Sequence, residues 1–411
     1  MPIVHLIPNL SPSGDSAQLR ALVRIAKTGK MEVPREGEMH IFSFSPVDED
    51  VRKELESENS RFMVRVHELR ARFAQEVYWK VFWKIRELRL RPRAVHVWGE
   101  FLMRAGLHLA KRFHARSIAS LRHADPWFFA EDPGLFARFD VLTANSNGVK
   151  NAWEKRGIRG NWNLLPDFLD ADLQNTLTPS VLNGGETFKT AETSETASGS
   201  KTASALREEL LADLGIPSDA VLAACVGPVA PWKRWQWAVW SIDSIVRVCP
   251  QMHLLFFDPE LEDRRARSLS PQTERERRSI AKFTLQYERE SIVHFLPFRQ
   301  DLQQLLPALN YFWAPHSISG AGLAMLEAAR AGVPVIASET ESLGELFPQG
   351  ACASVPTHHE TTAIAAATYL LETHSDRRAE QIAAAHSALK KFSDAARFAD
   401  AYFNLYAQDL S

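Results

Sequence analysis

A chain of 411 residues is long enough for two or three domains. Its 45% apolar and 24% charged residues describe a globular chain with real cores, and a formal charge of −2 lacks the basic excess that nucleic-acid binding calls for. No run of roughly 18 apolar residues occurs, so no segment reads as a membrane span. The opening MPIVHLIPNL has neither the charged n-region nor the cleavage site of a secretory leader. Cys225, Cys249 and Cys352 are odd in number and unclustered, which suits buried thiols in a reducing cytoplasm better than a disulfide or metal framework.

Residues 3–10 predict a first strand, and Ser11-Pro12-Ser13-Gly14 the turn after it. Leu19, Leu22, Val23 and Ala26 recur at helical spacing, and residues 39–44 read as a second strand. Residues 61–93 carry ten Lys/Arg against three acids, with Tyr78, Trp79, Phe82 and Trp83 interleaved. Phe73, Val77, Val81, Ile85 and Leu88 form a helical stripe there, so the stretch predicts a long helix packed on a sheet with its arginines outward. Packing does not account for the surplus of basic and aromatic residues, which suits a face resting on anionic lipid.

Residues 94–98, 117–121 and 141–146 predict strands, with a helix over 101–113. Arg122-His123-Ala124-Asp125 follows the second of these at its carboxyl end, where open α/β sheets bind ligands. A further strand is expected at 163–167. Residues 174–204 are dominated by Thr, Ser, Ala, Gly and Glu, too poor in large apolar groups to offset their ordering entropy. Residues 1–172 and 205–411 therefore read as two domains joined by a flexible linker or insertion over 173–204.

In the second half, a helix is expected at 205–214 and a strand at 221–226, leaving by the loop Gly227-Pro228-Val229-Ala230-Pro231-Trp232-Lys233-Arg234. Strands at 253–257 and 292–295 flank a charge-dense stretch, 260–280, expected as an exposed helix. Helices are expected at 301–309 and 361–373, and a closing one at 392–406. Between them, residues 311–345 read as strand, glycine-containing turn, helix and strand. Tyr311-Phe312-Trp313-Ala314 is the first strand, Leu323 to Arg330 the helix, and Gly332 and Pro334 its stop.

The turn His316-Ser317-Ile318-Ser319-Gly320-Ala321-Gly322 is an anion site by its physics. The first amides of a helix lack intrahelical partners and carry the positive end of its dipole. Gly320 and Gly322 bring no side chain to block a phosphate. Glu327 lies about one and a half turns further in, where a carboxylate suits ribose hydroxyls better than phosphate. Its flanks Leu326, Ala328 and Ala329 predict a mostly buried helix, so Glu327 needs a polar partner. Gly320-Ala321-Gly322-Leu323-Ala324-Met325 is also close to a dinucleotide fingerprint, with Glu339 and Glu341 near the ribose-binding position. Met325 in place of the third glycine, and the short chain left after Glu341, argue against it.

This stretch resembles the donor-binding signature of the family 4 retaining glycosyltransferases, also called glycosyl transferases group 1. Gly320, Gly322, Leu323, Glu327, Ala328, Gly332, Pro334, Val335, Ile336, Ala337 and Glu345 fit the pattern. Ser319 stands where the family has a glutamate that helps hold the transferred sugar, and Ser342 where a glycine is usual. The resemblance implies a GT-B fold: two Rossmann-like α/β domains with parallel sheets facing a central cleft, the last helix returning to the first domain. It places Lys233 on a diphosphate-gripping lysine, with Pro228 replacing the family's arginine and Arg234 its glycine. It puts His123 near the transferred sugar, and Gly14 where a Gly-Gly pair usually faces the donor.

The expected donor-binding set is therefore Gly14, Lys233, Arg234, Gly320, Ala321, Gly322, Leu323 and Glu327, with His123 and Ser319 at the chemistry. The implied activity is metal-independent transfer of a sugar, with retention, from a nucleotide diphosphate sugar to a glycan, lipid-linked or small-molecule acceptor. No cofactor beyond the donor is implied, and no nucleic-acid partner. The expected location is the cytoplasm, with peripheral contact to anionic membrane through 61–93. Two rivals stand beside this reading. One is a degenerate relative that binds or assembles without turnover, motivated by Ser319 and Pro228; the other is a sugar-nucleotide epimerase on the same architecture.

Overall fold

The structure is a computed structural model, and it describes residues 2–10, 14–28, 37–56, 62–71, 73–123, 133–165, 167–169, 202–258, 261, 271–297, 299, 301–318, 320, 322–357 and 360–407. The linker expected at 173–204 lies almost wholly outside them, as do Ala124, Asp125, Ser319 and Ala321.

Among the described residues thirteen strands form two parallel sheets. In the first, β1 (Pro2–Ile7), β2 (Gly37–Ser43), β3 (Phe62–Glu68), β4 (Ala94–Trp98), β5 (Arg116–Ser120), β6 (Val141–Ala144) and β7 (Trp162–Leu164) take the order β3-β2-β1-β4-β5-β6-β7. In the second, β8 (Val221–Val226), β9 (Met252–Asp258), β10 (Val293–Pro297), β11 (Tyr311–Ala314), β12 (Val335–Ser338) and β13 (Ala353–Val355) take the order β10-β9-β8-β11-β12-β13. Every pairing is parallel, and in each sheet the order reverses once, at β1/β4 and at β8/β11. Parallel strands buried on both faces need apolar residues at nearly every position, and β8 (VLAACV) and β9 (MHLLFFD) are buried throughout.

The helices cover both faces of the sheets. They are α1 (Gly14–Thr28), α2 (Glu49–Glu56), α3 (Ala74–Glu87), α4 (Met103–Phe113) and α5 (Asn147–Lys155) in the first half. In the second half come α6 (Ala203–Leu214), α7 (Trp235–Ile245), α8 (Pro271–Gln286), α9 (Leu302–Leu305), α10 (Leu323–Arg330), α11 (Leu343–Leu346), α12 (Glu360–Thr373), α13 (Ser375–Leu389) and α14 (Ala395–Ala407). Each sheet has a separate apolar cluster on either face.

Helix α14 leaves the second half and completes the core of the first. Phe398, Ala399, Tyr402, Phe403 and Tyr406 join Ile3, Leu19, Met39 and Ile118 in one cluster. A buried polar chain fixes the docking: His96 Nδ1 lies 2.8 Å from Tyr406 Oη, and His96 Nε2 lies 2.8 Å from Ser120 Oγ.

The long helix expected over 61–93 is corrected. Residues 62–68 are strand β3, with Phe62, Val64 and Val66 inward and Met63 and Arg65 outward, and the helix begins only at Ala74. The stripe is real at Val77, Val81 and Ile85, which are buried, but Phe73 is exposed. Strand β13 and helices α2, α5, α7, α11 and α13 are not among the elements expected from the sequence.

Candidate functional site

Open α/β sheets bind ligands where the strand order reverses, beyond the strands' carboxyl ends. In the second sheet the loops leaving that point are those after β8 and β11, which contain Lys233 and Gly320 respectively. Strand β8 ends at Val226, and Gly227 follows with φ +118°, a conformation open chiefly to glycine. Residues 231–233 form one 3-10 turn that folds the loop back, so that the Lys233 ammonium donates to the Val226 carbonyl at 2.7 Å. A Cβ on Gly227 would lie 1.9 Å from Lys233 Nζ, so the glycine makes the space the ammonium occupies. Arg234 takes φ +50° and starts α7; its guanidinium donates to the Thr357 carbonyl at 2.9 Å and lies 5.0 Å from the centre of the Trp237 ring. The adjacent cations thus make different contacts.

The β11 loop is tied to the β8 loop by Ser317, whose amide and hydroxyl both donate to the Trp232 carbonyl, at 2.8 and 3.2 Å. Gly320 follows with φ +121° and forms an antiparallel bridge with His123 of the first half. A Cβ there would lie 2.5 Å from His123 Cα and 2.7 Å from the Arg122 carbonyl oxygen, so glycine lets the two halves touch. The Gly320 amide donates to Ser342 Oγ at 3.2 Å. Gly322 caps α10, and a Cβ on it would lie 2.4 Å from a Leu346 methyl. Leu323 is buried directly after it. The first amides of α10 have no carbonyl four residues earlier within the helix to bond.

Glu327 sits on α10, half-buried, and accepts a hydrogen bond from Gln303 Nε2 at 2.7 Å. Burial pushes its carboxyl up to about 7, against opposing pulls from Arg330 and the Gln303 hydrogen bond. A carboxylate in this state gains from any further hydrogen-bond donor that reaches it.

The sequence reading assigned no role to Trp232 or His316. The Trp232 indole is almost wholly buried and stacks on His123 across the domain boundary, centroids 5.7 Å apart and planes 26° apart. The His316 ring meets its edge at 5.5 Å, and the Lys233 ammonium lies 5.4 Å from its centroid. His316 is buried, and among the described residues its Nδ1 has no hydrogen-bond partner. Burial, with the Lys233 charge beside it, lowers its pKa to about 3, so the ring is neutral. The one sequence signal for both residues is their place in loops at strand carboxyl ends.

In the first half, Gly14 opens α1 with φ +57° and is exposed. Its neighbour Asp15 accepts from Arg122 Nε at 3.1 Å, and Arg122 also pairs with buried Asp167, so the start of α1 is held beside the end of β5. His123 Nε2 lies 3.8 Å from Glu100 Oε1.

A second contact joins the halves. The Glu345 carboxylate accepts from the amides of Asn147 and Gly148 at 2.9 and 2.7 Å and from Asn147 Nδ2 at 3.1 Å, capping α5 from the opposite domain. Lys155, in the last turn of α5, pairs with Glu341. Gly148 is required here, since a Cβ would lie 2.4 Å from the Ser342 amide nitrogen. The segment holding the domains together therefore also supplies the hydroxyl that receives the Gly320 amide.

The structure thus brings His123, Lys233 and Gly320 to one place, with Gly322 and Leu323 directly after. Gly14 lies along the same boundary, Glu327 stands deeper on α10, and Arg234 turns to Thr357 and Trp237. Among the described residues no cluster of three or more His, Cys, Asp or Glu could hold a metal ion.

Residues 222–373 match the family model described as glycosyl transferases group 1. No curated protein matches the sequence. Among solved structures, the chain is similar to Anabaena HepE in complex with UDP-glucose, with a TM-score of 0.73 and 16% identity over 99% of this chain and 100% of that one. It is similar to sucrose-phosphate synthase from Thermosynechococcus elongatus, with a TM-score of 0.69 and 16% identity over 99% and 98%. It is also similar to the trehalose-6-phosphate synthase OtsA, with a TM-score of 0.67 and 11% identity over 99% of both chains.

Proposed function

From residues 222–373 as a glycosyl transferases group 1 segment, within a chain of GT-B fold, we propose that this protein transfers a sugar from a nucleotide diphosphate sugar to an acceptor with retention at the anomeric carbon. The observation that carries the proposal is the bridge between Gly320 and His123. It sets the turn expected to bind phosphate against the histidine expected near the sugar, one from each domain.

In this reading the diphosphate meets the amides that open α10 and the Lys233 ammonium. The Lys233 ammonium, held by the Val226 carbonyl, brings a fixed positive charge to the diphosphate. Glu327 accepts from the ribose hydroxyls. The bond from the anomeric carbon to the diphosphate oxygen breaks, the acceptor oxygen bonds to that carbon on the same face, and the acceptor's proton leaves to the departing phosphate or to solvent. Departing charge is then stabilised by fixed dipoles and a buried cation, which is where such sites gain most rate. No metal is needed for this step. Neutral His316 adds no charge and leaves Lys233 as the cation beside Trp232. UDP-glucose held by the similar HepE supports a nucleotide sugar as donor.

The acceptor is a glycan, a lipid-linked sugar or a small molecule. The test is release of nucleoside diphosphate from UDP-, GDP- and ADP-sugars with and without a lysate of acceptors, followed by NMR of the product's anomeric proton. Acceptor-dependent release with the donor's configuration kept is expected. An inverted product contradicts retention, and sugar interconversion without acceptor identifies an epimerase instead.

A further inference from the structure

We propose that the outer face of α3 and α4 is a docking surface for an anionic lipid bilayer. The idea rests on the transferase reading only in what it would be for, which is bringing the active site to a lipid-linked acceptor. Its physical basis is separate.

Helix α3 buries Val77, Val81 and Ile85 against the first sheet's core. Its opposite side leaves Trp79 58% and Trp83 62% exposed, and Phe73, at its N-cap, is 66% exposed. Trp79 and Trp83 are four residues apart, so their indoles share one helix face. Scattered exposed apolar residues are ordinary, but two indoles on one helix face, with an exposed phenyl ring at the same helix's N-terminus, leave a large apolar surface that needs an occupant. Indoles favour the boundary between water and hydrocarbon, where the ring is apolar and the N–H stays wet.

The charge around the patch names the occupant. Residues 74–92 contain five Lys/Arg and residues 103–113 three more, against two acids, in a chain whose net charge is −2; Arg93 is bonded instead to the Ala407 carbonyl of α14. Both acids are spent locally: Glu76 lies 3.5 Å from Lys80 and Glu87 2.8 Å from Lys84. Arg86 of α3 and Arg112 of α4 both approach the Phe82 ring, at 5.9 and 5.8 Å, so a cation from each helix lies at the seam between them. Arg89, Arg91 and Lys111 are exposed beside them. Clustered cations around exposed indoles complement a surface of negative headgroups over hydrocarbon. A second copy of this chain would bring like charges face to face.

The test uses the full chain and vesicles of phosphatidylcholine with and without phosphatidylglycerol, in a flotation assay. Binding is expected only with phosphatidylglycerol, and salt should release it, because exposed charges are screened. Trp79→Ser with Trp83→Ser should weaken binding about tenfold or more. Arg89→Gln, Arg91→Gln and Lys111→Gln together should abolish the lipid-charge preference. Nucleoside diphosphate affinity, measured on the same samples, should be unchanged and reports that the variants are folded. Vesicle binding indifferent to lipid charge or to the two indoles overturns the proposal, as does a dimer in sedimentation that the indole variant dissociates. Lipid binding without nucleotide binding would leave the docking surface standing and remove the transferase reading; the reverse would remove the docking surface alone.

Discussion

Glu327 offers a perturbation whose size follows from its surroundings. Its carboxyl is pushed from 4.5 to about 7, chiefly by burial. At 1.36 kcal/mol per unit, that difference corresponds to at most about 3 kcal/mol. The sign is fixed by linkage. Between these two values the folded protein holds a proton that the unfolded chain has lost, so stability falls as pH rises through this window. The stability from the neutral carboxyl is fully present below 4.5 and lost once pH passes the folded value. Glu327→Gln removes the titration, keeps the shape and should therefore be the more stable protein at pH 8, by up to about 3 kcal/mol. Ribose hydroxyls donate, so nucleoside binding needs the ionised form and should strengthen about tenfold from pH 6 to pH 8. Calorimetric titration of a nucleoside, which carries no titrating phosphate, measures this alongside thermal melts. Affinity flat across that range, or an equal slope in Glu327→Gln, would refute the assignment of Glu327 to the ribose.

The remaining predictions concern the framework of the site. Gly320→Ala places a methyl within contact of His123 Cα and the Arg122 carbonyl, and should push the domains apart, seen as a larger radius of gyration in X-ray scattering. Glu345→Ala removes the cap that α5 receives from the opposite domain and should cost about 0.5–2 kcal/mol of stability in denaturant melts. Tyr406→Phe strips a buried partner from His96 and should cost about 1–3 kcal/mol in denaturant melts; a loss near zero would mean that this bond does not hold α14 in place. Ser319→Glu tests for degeneracy: turnover absent in the native chain and present in the variant would mean that the fold was kept and the chemistry lost.

The doubly wound plan was legible because parallel strands buried on both faces are continuous apolar runs. Tyr311–Ala314 and Leu323–Arg330 were readable for that reason and for their Gly and Pro punctuation. Strand β3 was hidden by its own edge position: Arg65 and Met63 face outward, and the dense basic residues masked the alternation of Phe62, Val64 and Val66. The site was legible where one segment carries it, as in the Gly320 turn. It was not where distant loops meet. Trp232 matters because His123 and His316 converge on it, and Glu345 because it reaches Asn147 across 198 positions. Arg234, expected beside Lys233 in the donor-binding set, was not readable as a partner of the Thr357 carbonyl, which follows it by 123 positions.

The central claim is that a nucleoside diphosphate is held between Lys233 and the turn that opens α10. Titrating native chain and Lys233→Ala with UDP, GDP and ADP, and with the matching nucleosides, tests it most directly. The account predicts that one diphosphate binds the native chain, that Lys233→Ala weakens it by about 1.5–3 kcal/mol, and that nucleoside affinity stays the same, since hydrogen bonds to a charged group are lost only from the phosphates. Diphosphate affinity unchanged in Lys233→Ala, or no binding of any nucleotide to the native chain, would contradict it.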